Sequence, residues 1–202
     1  MAAAANLEKE TEAMSLYPVL VFLHVLGAMG LFAAIAIEAV ALGRLRQTDA
    51  PAGVREGMAL LARNERLGGI AMLTLIASGA WMMATTWGHQ WWIASAFIGI
   101  IGMGIAGGAV SSRRIRRLRA ALAAERGPGL SQAFTSLQSS AALVASLRVR
   151  IALGIGIVAL MTLKPTGAGT SLLILAAFAV AGLVATVPLV AGRSPMAHRS
   201  EA

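Results

Sequence analysis

The chain contains no cysteine, which removes disulfides, thiolate metal sites, cysteine-ligated iron–sulfur clusters and a cysteine nucleophile from consideration. Charge is scarce as well. Only 13% of its 202 residues are charged and 57% are hydrophobic, whereas a soluble domain carries roughly a quarter charged residues. Lysine is almost missing: Lys9 and Lys164 are the only two, and every other basic residue is arginine. No phosphate-cradling glycine loop, HExxH helix, serine triad or paired-carboxylate arrangement occurs, so hydrolase or kinase chemistry of the soluble type is not expected. Alternation with a period of two is absent too, and open sheet edges do not survive in hydrocarbon, so only helices are expected. The lack of an internal repeat argues against an inverted-repeat transporter.

What the chain does have is long apolar runs with the charges gathered between them. A bilayer core of about 30 Å needs roughly 20 apolar residues in a helix. The runs predict an all-α, polytopic transmembrane bundle with spans at 16–43, 67–86, 91–110, 144–163 and 170–191. A polar extension over 1–14 precedes one membrane domain over 15–192, and 193–202 form a tail. Ser15 is expected to cap the first span, with Pro18 harmless in its first turn and Pro188 bending or ending the last. The extension is not expected to be a secretory leader, since it sets Lys9 against Glu8, Glu10 and Glu12 and the apolar run after it is too long. Met14 is an alternative start. Spans one to four are expected to form the core, with the fifth peripheral.

The arginines set the orientation. Arg44, Arg46, Arg55, Arg63 and Arg66 follow the first span. Arg113, Arg114, Arg116, Arg117, Arg119 and Arg126, then Arg148 and Arg150, follow the third, and Arg193 and Arg199 lie in the tail. The positive-inside rule places these in the cytoplasm, the N-terminus outside and the C-terminus inside. Trp87, Trp91 and Trp92 surround the short second loop and mark the outer interface, so spans two and three are expected to be antiparallel neighbours. The net charge of +8 is read as orientation signal and contact with anionic headgroups, not nucleic-acid binding. Abundant Ala, Gly and Arg suggest a GC-rich bacterial genome and hence the plasma membrane. The expected partners are the lipid bilayer and either other membrane subunits or a second copy of the chain.

Two inner stretches are expected to fold on the membrane surface. Asp49-Ala50-Pro51 starts one helix, and span three continues into 113–125 with Ile115, Leu118 and Leu122 at helical spacing. Gly127-Pro128-Gly129 ends that helix and Ser131 caps the next.

Ionisable groups inside a bilayer are costly, so each is a candidate site. His24 and Glu38 lie two heptads apart in span one and share a helical face with Gly27, Ala28, Leu31, Ala34 and Ile35. A face that mixes ionisable and small residues should turn toward other helices. His24 suits a haem or copper ligand or a proton carrier, or simply a buried hydrogen-bonded histidine. No second histidine lies in a span, so a further ligand would be a methionine, with Met82 and Met83 the pairing considered. Span four is short of charge-free residues: Ile151–Leu163 gives only about 20 Å of helix. Arg150, and with it Arg148, must therefore enter the membrane, either snorkelling or with one of them pairing with Glu38. Gly104 and Gly108 form a GxxxG in span three, which packs inside the bundle or against a second copy. Gly27 and Gly30 in span one are the surface to receive it.

Two short features resemble known membrane families. Leu23-His24-Val25-Leu26-Gly27 resembles the start of copper-resistance-D-like bacterial membrane proteins. Lys164-Pro165, closing a span after Met161-Thr162, resembles the ending of HemJ-type protoporphyrinogen oxidases, which also carry a histidine early in span one. The second resemblance implies haem b and oxidation of protoporphyrinogen, with His24 as ligand and Lys164 as the other matching position. The chain lacks the aromatic-rich stretch after the histidine and adds a fifth span. Three functions stay open. The sparsity of polar residues favours a structural or accessory subunit of a membrane complex. A haem- or copper-associated redox protein would depend on His24, and a small transporter or proton-path protein on Glu38 with Arg148 or Arg150.

Overall fold

The structure, a computed structural model, describes residues 2–48, 50–125 and 130–187. Every regular element among them is a helix, as the absence of period-two patterning predicts. In chain order these are α1 (Ala2–Gln47), α2 (Pro51–Met82), α3 (Trp91–Ile105), α4 (Arg113–Ala124), α5 (Gln132–Gln138), α6 (Ala141–Leu163) and α7 (Ala168–Val184). Two π-helical segments, Met83–Trp87 and Ala106–Ser112, extend α2 and join α3 to α4. Four helical stretches are long and apolar enough to cross a membrane, Leu16–Gln47, Pro51–Trp87, Trp91–Ala124 and Phe134–Leu163, and α7 is a shorter apolar helix.

The helices run longer than the apolar segments. Ser15 is no cap, because α1 passes through it into the preceding stretch, whose Ala, Leu, Glu and Lys are strong helix formers. The surface helix expected at Pro51 and the span expected at Leu67 are one helix. Pro51 fills its first turn, where a missing N–H costs nothing. Gly57, Asn64, Ala71 and Ser78 then recur every seventh residue, all buried, so a single face carries α2 into the bundle from the arginine-rich end, termed inner as a label only, with the tryptophan-rich end termed outer. Ser131 caps α5 by accepting the Phe134 N–H at 3.2 Å. Gly127-Pro128-Gly129, Arg126, Pro188 and the tail over 193–202 lie outside the described residues.

The bundle has two parts. In the first, α1 and α2 pack along their length, and a Cβ at Gly27 would stand 3.0 Å from the Leu75 backbone nitrogen, so only glycine lets the backbones approach this closely. Gly30 faces Ala71 in the same seam. In the second part α6 packs against α7 and α3, and Gly182 of α7 lies on the α6 backbone at Val149. Contact between the parts runs mainly through α1 and α6, with Phe32 seated on Gly154.

Spans two and three, expected as antiparallel neighbours, are joined by the tryptophan hairpin but do not pack along their length. The glycine seam draws α2 onto α1, while α3 follows α6. A cleft results.

The inner end is closed by α4 and α5. Phe134 is fully buried beside Ile115 and Leu118. The Gln138 side-chain amide donates to the carbonyls of Leu45 and, at 3.0 Å, Thr48, covering acceptors that the end of α1 leaves without partners. Phe22, Met29, Ile70, Leu73, Ile101, Ile105 and Leu173 project outward, each more than half exposed. Such a surface matches lipid as the surrounding solvent.

Candidate functional site: a two-chambered cleft

The cleft between the two parts holds an inner chamber of about 360 Å³ and an outer one of about 160 Å³. Met72 and Met103 line the first, and Leu75, Ile76 and Ile100 line the second, so apolar side chains form the waist between them.

The inner chamber is built around an ion pair. An Nη2 donor of Arg150 on α6 reaches the Glu38 Oε1 on α1, and both side chains are only 11–12% exposed. The Arg150 guanidinium lies over Gly107, where an added Cβ would sit 3.4 Å from its Cδ and Nη1. Gly107 belongs to the π-helical segment, a register that occurs in short pieces, often at functional sites. The wider register frees carbonyls. Ser146 donates to the Ala106 carbonyl at 2.7 Å and Ser112 to the Gly107 carbonyl at 3.1 Å, while Ser111 donates to Ser146 at 3.0 Å.

Two fully buried polar atoms on residues that line this chamber have no hydrogen-bond partner among the described residues, Arg150 Nε and Asn64 Oδ1. The Asn64 amide is oriented by its Nδ2, which donates to the Ala34 carbonyl at 2.8 Å. Orphaned buried polar atoms are uncommon and call for an explanation. Glu65 and Arg119, paired at 3.4 Å, are substantially exposed, and such a pair contributes little to stability.

The outer chamber is apolar apart from the tip of Tyr17 and one imidazole. His24 Nδ1 lies 3.2 Å from the Leu75 carbonyl and 3.1 Å from the Ser78 hydroxyl. Ser78 commits its own proton to the Thr74 carbonyl at 2.6 Å, so this network assigns the imidazole proton to Nδ1. Nε2 is left as the lone-pair nitrogen and makes no hydrogen bond among the described residues. A Cβ at Gly79 would stand 3.0 Å from His24 Cε1, so the ring lies directly on the α2 backbone. Met82, Met83 and Met161 share the chamber with Trp87 and Trp92.

At the outer end the Lys164 ammonium lies 4.4 Å from the Trp87 ring centroid and 6.0 Å from that of Trp92. The two indoles meet edge to face at 5.6 Å. Lys164 ends α6 with a φ of 45°, a left-handed conformation usually taken by glycine.

The residues singled out in the sequence separate accordingly. Glu38 and Arg150 meet. Arg148, two residues away on α6, points to the other side and donates to the Ala185 carbonyl beyond α7. Gly27 and Gly30 receive α2, not span three. Gly104 and Gly108 have no atom within 4 Å of an added Cβ and border the inner chamber. His24, Met82 and Met83 line one chamber. Asn64 and Ser78 were not singled out, although the seven-residue recurrence of Gly57, Asn64, Ala71 and Ser78 was available as a signal. No cluster of three His, Cys, Asp or Glu residues is found among the described residues. Set against protein-family models, curated proteins and solved structures, the chain matches none.

Proposed function

We propose that this is a five-span protein of the bacterial plasma membrane, N-terminus outside and C-terminus in the cytoplasm, that moves a proton or a small polar solute through the cleft. The buried Glu38–Arg150 pair on the wall of a chamber of about 360 Å³ carries this reading. Ionisable residues within membrane helices are expensive and mark substrate or proton paths. The chamber also falls within the roughly 300–1,000 Å³ of small-molecule sites. Plain residue counting favours an accessory role, and the buried ion pair on the chamber wall is the observation that favours transport over it. At 17 residues α7 reaches about 26 Å, nearly the hydrocarbon thickness, which supports counting it as the fifth span. The arginine distribution supports the orientation.

The test is proton flux into proteoliposomes loaded with a pH-sensitive dye, under an imposed pH gradient. Wild-type protein should conduct faster than empty vesicles, and Glu38→Gln should abolish the excess. Wild-type vesicles no faster than empty ones, or full flux in the variant, would reject a proton path through Glu38. Single cysteines are easily introduced into a cysteine-free chain. One at His89 should react with an impermeant maleimide from outside intact cells, and one at Ala120 only after permeabilisation. The opposite pattern would reverse the orientation.

The outer chamber supports a second reading, a soft-metal site. A metal-bound histidine commonly has its other ring nitrogen fixed by a carbonyl or carboxylate, as Leu75 and Ser78 fix Nδ1 here. His24 Nε2 with thioethers from Met82, Met83 or Met161 forms a donor set suited to copper(I). A haem does not fit: the chamber, at about 160 Å³, is well below the usual size of cofactor sites, and the Lys164 ammonium rests on Trp87. Visible spectra and metal analysis of protein from its native host decide this. Stoichiometric copper that His24→Ala removes supports the site, and a metal-free, colourless protein rejects it.

A further inference from the structure

Three charged side chains line the inner chamber: Glu38 from α1, Glu65 from α2 and Arg150 from α6. The wall formed by α3, the π-helical segment and α4 adds no charge, only the hydroxyls of Ser111 and Ser112, bare glycine backbone and the apolar Met103 and Ile115. Glu65 sits at the rim, 56% exposed beside Arg119, where solvent screens it. The interior thus contains one guanidinium and one carboxylate. Arginine does not lose its proton in proteins, and a buried charge requires a counter-charge. A second negative charge can join Arg150 only if the first is discharged.

The two orphaned atoms fit that exchange. Arg150 Nε is a buried donor without an acceptor on a residue that lines the chamber, and an anion that displaces the carboxylate would supply one. Asn64 Oδ1 is an acceptor without a donor, on a residue that lines the same chamber as the carboxyl that would then carry a proton. Outside, the exposed Arg113, Arg116 and Arg117 of α4 flank Ser112 and Ile115 of the chamber wall and raise the local concentration of anions.

We propose that the inner chamber binds a small monovalent anion on Arg150, and that Glu38 takes up one proton for each anion bound. The proposal rests on the transport reading above and gives that site its substrate class and its coupling. Protonated Glu38 releases the guanidinium, the anion replaces the carboxylate as its partner, and the chamber's net charge is unchanged. Apolar Met72 and Met103 at the waist offer a bare anion no partner, so movement as a neutral proton–anion pair avoids the cost of an unpaired charge in hydrocarbon.

Nitrate and acetate are the probes, titrated calorimetrically into detergent-purified protein while a pH indicator in weakly buffered solution reports proton uptake. The wild type should take up close to one proton per anion, and its affinity should weaken about tenfold per pH unit once Glu38 is ionised in the free protein. Glu38→Gln should bind with no proton uptake and no pH dependence, and Arg150→Gln should not bind. Wild-type binding without proton uptake, or no binding of either anion at any pH, overturns the proposal, and neither result depends on a variant folding. Coupled binding without flux in proteoliposomes would reject the transport reading and leave the anion site standing. Proton flux without anion binding would do the reverse.

Discussion

The two chambers share their helices but differ in chemistry. His24 and Glu38 stand two heptads apart on one face of α1, His24 against Ser78 of α2 and Glu38 in a chamber that Asn64 of α2 also lines. What differs is the third wall. Opposite His24, α3 presents Trp92, Ala96 and Ile100, which fill space and leave about 160 Å³. Opposite Glu38, Gly104 of α3 and Gly107 and Gly108 of the π-helical segment leave room for Arg150 and a chamber of about 360 Å³. An ionisable group in a membrane helix therefore does not by itself define a site. The neighbouring helix decides whether it becomes a hydrogen-bonded ring in an apolar pocket or half of an ion pair in a polar one.

That comparison can be broken most severely at Arg150. Arg150→Met leaves Glu38 buried and unpaired, and removing one partner of a buried pair costs about 3–5 kcal/mol. Thermal unfolding in detergent should show this loss, and the double variant Glu38→Leu/Arg150→Met should recover most of it. An undiminished unfolding temperature in the single variant would mean that the pair is not buried. Gly107→Leu sharpens the contrast by filling the inner chamber where the guanidinium lies. Proton flux should fall at least tenfold while the copper content assigned to His24 stays as it was. Loss of both together would show that the chambers are not separable.

Smaller effects belong to the outer chamber. His24→Ala removes hydrogen bonds of ordinary strength, about 1 kcal/mol net, and should leave anion binding in the inner chamber intact. Weakened anion binding in this variant would tie the two ends of the cleft together. Lys164→Ala removes a cation–π contact worth about 0.5–1 kcal/mol at an exposed site. The expected result is a slight fall in unfolding temperature, with the Trp87 and Trp92 fluorescence altered and proton flux unchanged.

Much of the helical frame was readable in the chain. Apolar runs, flanking arginines and the tryptophan-rich loop locate the spans, since hydrocarbon leaves helices as the economical solution for the backbone. The helix ends were less legible. Ser15 has the residue type of a cap, yet the stretch before it is as good a helix former as the span behind it. Leu67 looked like the start of a span because hydropathy rises there, while the buried recurrence of Gly57, Asn64, Ala71 and Ser78 makes α2 one helix from Pro51 onward. The GxxxG of Gly104 and Gly108 is a packing seam by type, for the bundle or for a second copy, and within the bundle those glycines leave a wall bare.

The sequence by itself determined that the chain is helical and apolar enough for a bilayer, and it narrowed the ionisable groups within the spans to a few. Hydropathy and helical period are local properties, carried by each segment alone. Only the tertiary structure decided that Arg150 rather than Arg148 meets Glu38, that Asn64 and Arg150, each with an unpartnered atom, line one chamber, and that α2 and α3 do not pack along their length. Those outcomes depend on helix rotation and on which glycine meets which backbone. A rotation of about 100° per residue sends Arg148 and Arg150 to opposite faces of α6, and nothing in the neighbouring sequence reveals which face the rest of the bundle will occupy.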